Sequence, residues 1–387
     1  MNRPIRILHV LGGMDRGGVE TWLMHVLRNI DRQRFHMDFL VHTNRRCAYD
    51  CEIESLGSNL HFCPKPSNPP RYARNFLRIL RTQGPYDVVH SHVHHFSGFV
   101  LQLARLAGVP ERIAHSHSDT SRLDTRSSFP RQLYLRWSAR WIHRHATAKL
   151  AVSEQAAFSL FGPGWRAKAS IVYPGLDFRP FAASVDPAEV RRELGLAPDD
   201  FIIGHVGRFV ASKNHDFLLR VHAEVLKIKP EARLLLVGDG PLKDSVRATA
   251  AQLRTEKHVR FAGTRPDVAR LMLGAMDVFV MPSIYEGLGL AALEAQAAGL
   301  PTVLSGGIPP EADIHCGLVH LASLHDSPQA WAQHIVRHVA DLSAQERHTL
   351  VHLASSIFGI QRSARALYPF YSRSLHATAD TVSAITT

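Results

Sequence analysis

Three scarcities bound this chain before any motif is read. Cysteine is rare: only Cys47, Cys51, Cys63 and Cys316 occur in 387 residues. That excludes a disulfide-built scaffold and fits free thiols in a reducing compartment. Cys47, Cys51 and Cys63 would supply three zinc ligands, but no well-spaced fourth follows, so zinc is not expected there. Long apolar runs are missing too. No stretch approaches the roughly 18 apolar residues of a spanning helix, so no membrane span is predicted. Acidic residues are in deficit, with 34 Asp and Glu against 45 Lys and Arg and a formal net charge of +11. A basic surface draws nucleic acid, anionic membrane or anionic small molecules. No helix-turn-helix, RNP or zinc-finger pattern is present, which turns the reading away from nucleic acid.

What is present is alternation. Strand Arg6–Leu11, a glycine loop at Gly12–Gly18, helix Val19–Ile30 and strand His36–His42 open the chain. Strands alternating with helices predict doubly wound parallel sheets, and 387 residues are enough for two or three domains. The first apolar run ends in Gly12-Gly13 without a small-residue cleavage site, so it reads as a strand and not a signal peptide. Cytoplasmic is therefore the expected location. Glycines at 12, 13, 17 and 18 miss the dinucleotide spacing, which argues against an NAD site. Pro64–Pro70 reads as a proline-rich loop.

Two later strands end in polar residues, where open α/β sheets bind ligands. Tyr86–Phe96 carries His90, His92, His94 and His95; with no nearby Asp, Glu or Cys to complete a shell, a polar cleft lining is expected and no metal. Arg112–Asp119 carries His115 and His117. Arg136, Arg140 and Arg144 then recur every four residues beside Tyr134, Trp137 and Trp141. Such a helix either lies on an anionic membrane surface or packs its Trp rings into the domain. A second doubly wound unit is predicted from Asp200, after a linker at Phe178–Pro198 with a short charged helix.

The most informative stretch is Met281–Glu294. A strand taken as Ala275–Met281 runs into a Pro-Ser turn, a glycine-punctuated loop and an Ala/Leu-rich helix. Such a loop leaves backbone N–H groups aimed at an anion. Glu286 and Glu294 would repel that anion, so they are read as acceptors for hydroxyl groups. Phosphate donors flanked by hydroxyl-reading carboxylates suit a nucleotide sugar, and the phosphates of such donors and of lipid carriers account for the basic charge.

The Glu-x7-Glu pair within Pro-Ser-x-Tyr-Glu-Gly-x-Gly-Leu resembles the signature of retaining family 4 glycosyltransferases of the GT-B fold. Gly207-Arg208-Phe-Val-Ala-Ser-Lys213-Asn214 resembles the family's second motif. The likeness covers essentially the whole chain and is nearest to bacterial exopolysaccharide-type enzymes. It implies two Rossmann-like domains facing a cleft: residues 1–178 on the acceptor side and 179–360 for the donor. Residues 361–387 would form a helix returning to the first domain, packed through Phe370, Tyr371 and Leu375, and a mobile tail.

The resemblance also implies roles. Arg208 and Lys213 neutralise the departing diphosphate, work that Mg²⁺ does elsewhere; no Asp-x-Asp metal motif is present, and neither metal nor cofactor is expected. Glu286, with Gly287, Leu288 and Gly289, holds the sugar; Glu294 reads the ribose; Gly207 lies by the diphosphate. Gly17 and Gly18 belong to a loop closing over the donor. His117 matches the family's sugar-facing histidine, with His115 expected on the opposite side of its strand. Where the family often has Asn before Gly175, this chain has Tyr173-Pro174, which removes a polar contact. The implied reaction moves a hexose from a UDP- or GDP-sugar to a glycan or polyprenyl-linked acceptor, and an acceptor carried on lipid implies work at the inner membrane face. Alternatives are a nucleotide-sugar epimerase on the same fold and a non-catalytic nucleotide-sugar-binding subunit. A phosphorylase would need a pyridoxal-phosphate lysine, for which there is no candidate.

Overall fold

The structure is a computed structural model that describes residues 3–64, 67–121, 124, 127–342 and 356–372. The chain divides into two compact units. One holds the chain up to Gly175 together with the helix Ile360–Tyr371; the other is Leu176–Gly359.

The first unit is a seven-stranded sheet of β1 (Ile5–Leu11), β2 (Phe35–Val41), β3 (Leu60–Phe62), β4 (Val88–Ser91), β5 (Glu111–Ser116), β6 (Ala148–Ala151) and β7 (Ser170–Ile171). Its order is β3-β2-β1-β4-β5-β6-β7, and every pairing is parallel. β1 and β2 are buried almost throughout, the pattern of a sheet covered on both faces. The order reverses between β1 and β4, which opens a crevice at their carboxyl ends.

The second unit repeats the plan with six strands: β8 (Phe201–Val206), β9 (Ala232–Val237), β10 (Val259–Gly263), β11 (Val278–Met281), β12 (Thr302–Ser305) and β13 (Val319–Ala322). They run β10-β9-β8-β11-β12-β13, again all parallel, with the reversal between β8 and β11. Its core includes Leu218, Leu234, Leu236, Val280 and Trp331. The turns after β8 and β9 touch. At Gly238 (φ +140°) a Cβ would fall 2.0 Å from the Gly207 carbonyl oxygen, so only glycine permits the approach.

Local chemistry sets the helix starts. Asn68, Ser153, Asp186 and Ser327 each accept a backbone N–H of the turn that follows. The charged linker helix is Pro187–Leu194, stopped by Gly195 in the left-handed region. Three boundaries differ from expectation. β11 begins at Val278, because Ala275 still belongs to the preceding helix, its N–H bonded to Leu271. β3 and β13 form where no strand is predicted. The returning helix is Ile360–Tyr371 and packs through Ile360, Ser363, Ala364, Leu367 and Tyr371, while Phe370 is only half-buried. Leu375 and the tail lie outside the described residues.

Candidate active site

In the second unit the two predicted motifs are stitched together by their backbones. β8 ends at Val206, Gly207 and Arg208 follow, and a short turn at Ala211–Lys213 leads into helix His215–Ile228. Asn214 joins turn to helix at φ +55°, a left-handed conformation that Asn adopts more readily than most residues. Its side-chain N–H₂ donates to the Pro282 carbonyl at 3.2 Å. The Ile284 N–H donates to the Ser212 carbonyl at 2.7 Å. This register brings the Lys213 ammonium to 2.7 Å from a Glu286 carboxylate oxygen, with both side chains largely buried, 16% and 14% exposed. The Lys213 stem lies over Gly207, whose added Cβ would meet Cε at 3.1 Å. Arg208 stands exposed beside them and has no ion pair among the described residues.

Gly287, Leu288 and Gly289 are buried and lead to helix Leu290–Ala297. Gly289 takes φ +91°, open to glycine and strained for other residues. The loop is braced from β12: the Glu286 N–H donates to the Gly307 carbonyl at 3.0 Å, and Ser305 donates its hydroxyl to the Ser283 carbonyl. Gly307 fits so closely that a Cβ there would come within 2.4 Å of the Ser283 and Ile284 carbonyl oxygens. Glu294 lies on the helix that follows. Burial pushes its carboxyl up to about 7, with the Lys213 ammonium pulling the other way. It has no ion pair of its own among the described residues. A carboxyl so placed gains from a partner that donates hydrogen bonds to it.

The first unit carries a different constellation. His9 of β1, His90 and His92 at the end of β4, and His115 and His117 at the end of β5 crowd into one cluster. His9 Nδ1 lies 3.0 Å from His92 Nε2, and His92 Nδ1 lies 2.8 Å from His117 Nε2. In a parallel row, His90 Nε2 lies 3.1 Å from His115 Nδ1, and His90 Nδ1 lies 3.0 Å from the Tyr371 hydroxyl. Burial lowers all five imidazoles, to about 3 for His9 and His117, so they are neutral at ordinary pH. His115 does not face away from His117. Residues two apart on a strand share a face, and the rings lie tilted against each other with centroids 4.2 Å apart. His94 leaves the strand at φ +49° and packs on His95 instead.

Gly17 and Gly18 begin the helix Gly18–Asn29, and the Thr21 N–H donates to Gly17 at 2.8 Å. That helix sets Trp22 against His115 and His117. Around Tyr173-Pro174 the backbone is held by Ser363. It accepts the Gly175 N–H and the Trp22 indole N–H, each at 3.0 Å, and donates to the Tyr173 carbonyl at 2.7 Å. The structure thus gathers Gly207, Lys213, Glu286, Gly287, Leu288, Gly289 and Glu294, with Arg208 at their edge, in one unit. Gly17, Gly18 and His117 gather in the other. Sequence reasoning missed His9 as a neighbour of His92. The signal was available, since doubly wound order places the first strand beside the one carrying His90 and His92.

The helix Phe129–His145 resolves the alternative posed for its aromatics unevenly. Ser138, Ile142 and His145 are buried, whereas Phe129 (76%), Leu133 (60%) and Trp137 (45%) are exposed on one stripe. No helix among the described residues is long and apolar enough to cross a membrane.

Two parallel doubly wound sheets, one with a Lys–Glu pair and a glycine loop beyond its strand ends, set the frame for the comparison with known proteins. The chain belongs to the glycosyltransferases of the GT-B fold: residues 186–349 match the family model described as Glycosyl transferases group 1, and residues 17–175 that of the Glycosyl transferase 4-like domain. It is 38% identical over 371 residues to EpsF of Bacillus subtilis (strain 168), a protein named as a glycosyltransferase, covering 95% of this chain and 96% of that one. It is 28% identical over 228 residues, 57% of this chain and 58% of the other, to an Escherichia coli enzyme named UDP-Gal:alpha-D-GlcNAc-diphosphoundecaprenol alpha-1,3-galactosyltransferase. Among solved structures, HepE of Anabaena in complex with UDP and glucose superposes with a TM-score of 0.80 at 21% identity, over 95% of this chain and 99% of that one.

Proposed function

We propose that the protein is a retaining, metal-independent hexosyltransferase. Its donor is a UDP- or GDP-sugar held by the second unit. Its acceptor is a glycan or polyprenyl-linked sugar served by the first, within polysaccharide biosynthesis at the cytoplasmic membrane face. The observation that carries this reading is the buried Lys213–Glu286 pair beside Glu294 and the glycine loop. Diphosphate oxygens compete for the Lys213 ammonium, and Glu286, released from it, accepts from the sugar hydroxyls. Glu294 accepts from the ribose, which favours its ionised form. Arg208 closes on the diphosphate from the solvent side, and the Gly17-Gly18 loop is the further donor-binding element that the family resemblance implies. His117 contributes the contact to the transferred sugar.

The bond from the anomeric carbon to the diphosphate oxygen breaks through an oxocarbenium-like transition state, and its electron pair goes to that oxygen. The acceptor hydroxyl attacks from the same face and passes its proton to the leaving phosphate. Arg208 and Lys213 stabilise the charge that grows there, the role given elsewhere to a cation. Support from relatives is consistent: a UDP-galactose enzyme acting on a diphosphoundecaprenol-linked sugar is among them, as is a fold neighbour that holds UDP. No cofactor takes part.

A thermal-shift panel of UDP-, GDP- and ADP-sugars tests the donor assignment. Saturation at a hundred times Kd stabilises by about 2.7 kcal/mol, a readily measured rise in Tm. A UDP- or GDP-sugar is expected to give it. A panel in which no nucleotide sugar moves Tm would contradict the proposal.

A further inference from the structure

The histidine cluster has an organisation that the transfer chemistry does not require. Three imidazoles, His92, His115 and His117, each place a ring nitrogen within 4.8 Å of the others'. His92 and His117 are partly exposed and His115 is buried, so the trio has a solvent side. We propose that His92, His115 and His117 form a binding site for a borderline first-row divalent cation, Zn²⁺ or Co²⁺, with a solvent-derived fourth ligand.

Three features carry this. The first is the donor set. Three neutral imidazoles and no carboxylate match zinc and cobalt, not the oxygen shell that Mg²⁺ or Ca²⁺ takes. These histidines belong to the first unit, whereas Lys213 and Arg208 belong to the second. The second is the outer shell. A ligating imidazole ordinarily donates its remaining N–H to a fixed acceptor. If His92 binds through Nδ1, its Nε2–H points at His9 Nδ1, 3.0 Å away. If His115 binds through Nε2, its Nδ1–H points at His90 Nε2, 3.1 Å away, and His90 in turn passes Nδ1–H to the Tyr371 hydroxyl at 3.0 Å. The third is an orphan. His115 Nε2 is buried with no hydrogen-bond partner, a costly state that a metal bond relieves.

A second trio, His9, His90 and His92, satisfies the same distance criterion. It fits less well. His9 and His90 are both fully buried, which leaves the inner trio less open to a solvent-derived ligand, and the orphaned His115 Nε2 would stay without a partner. The outer trio is therefore the one assigned.

The test uses the full chain, free of any affinity tag and stripped with EDTA. Titration with Co²⁺ is expected to give the intense visible bands of tetrahedral cobalt, and calorimetry with Zn²⁺ one ion per chain. His92→Gln and His115→Gln are expected to weaken Zn²⁺ binding at least 100-fold, and His9→Asn, which removes only an outer partner, about 10- to 100-fold. His334→Asn, on a half-buried imidazole of the other unit that packs on His320, is expected to change nothing. Should the cluster variants misfold, zinc absorption spectroscopy on the wild-type protein decides, with three imidazole nitrogens at about 2.0 Å expected. The proposal is overturned by absence of Co²⁺ bands, by a carboxylate-rich zinc shell, or by binding that survives His92→Gln and disappears with His334→Asn. Binding that needs His9 and His90 but not His117 would place the ion in the inner trio and overturn the assignment as made.

Discussion

The two sheets share a plan and differ in what their strand ends carry. In the first unit the crevice between β1 and β4 is filled by neutral imidazoles joined in two hydrogen-bonded rows. In the second, the equivalent crevice between β8 and β11 holds a buried ion pair and a carboxyl balanced near neutrality. Doubly wound topology makes both places candidate ligand sites. Side-chain charge decides what. A fixed cation with a competing carboxylate is suited to a diphosphate, whose arrival replaces one partner by another. A patch of neutral, half-buried donors and acceptors suits hydroxyls, or an ion that prefers imidazole.

The largest expected effect breaks the charged end. Lys213→Ala removes a preorganised cation and leaves Glu286 buried without its partner; turnover should fall by roughly two to three orders of magnitude, and Arg208→Ala should fall comparably. By contrast His117→Ala, which removes a neutral group, should cost only about tenfold. Steady-state kinetics on the three variants tests the contrast, and equal losses at both ends would erase it.

Glu294 sharpens the same comparison through pH. Its folded-state carboxyl is raised from 4.5 to about 7. A raised carboxyl favours the folded state below about pH 4.5 relative to higher pH, and that advantage is lost as pH climbs through about 7. At pH 8 the ionised, buried carboxylate therefore costs the donor-free protein about 2–3 kcal/mol. Glu294→Gln should raise stability by up to that amount at pH 8 and change it little at pH 4.5. It should also weaken UDP binding about tenfold. Glu286→Gln should leave UDP binding nearly intact and relax discrimination among sugars. Denaturation at the two pH values and calorimetry with UDP and a UDP-sugar separate these outcomes. Equal loss of UDP affinity in both variants would refute the division of roles.

The donor end was legible in the sequence because its signal is local. Glu286, the glycines and Glu294 lie within one strand–turn–helix, and Gly207–Lys213 is one more such unit. The first unit was less legible because its cluster is assembled from three strands, and a pattern read along the chain does not bring His9 to His92. His115 is expected on the side of its strand opposite His117, whereas the alternation of side chains along extended backbone puts residues 115 and 117 together. β3 and β13 are only three and four residues long and mostly exposed or half-exposed, so they offer no apolar run. Ser363 as a hub for Gly175, Tyr173 and Trp22 depends on contacts 188, 190 and 341 positions apart, and left no local trace.

The smallest expected effect concerns the helix Phe129–His145. Exposed Phe129, Leu133 and Trp137 beside Arg136 and Arg140 are suited to an anionic surface, at about 1 kcal/mol per basic residue. The protein should pellet with anionic vesicles at low salt and release at high salt. Arg136→Glu combined with Arg140→Glu should abolish pelleting with donor binding unchanged. Wild type that ignores such vesicles at low salt would make the stripe ordinary domain surface.

Transfer with retention and without metal at the Lys213–Glu286 end carries the proposed function. Its most direct test is proton NMR of donor turnover in EDTA, first with water and then with candidate acceptors. An α-linked nucleotide sugar should release its sugar first as the α anomer, at a rate that EDTA does not change and Lys213→Ala suppresses. Release as the β anomer, or turnover that EDTA abolishes and Mg²⁺ restores, would contradict it.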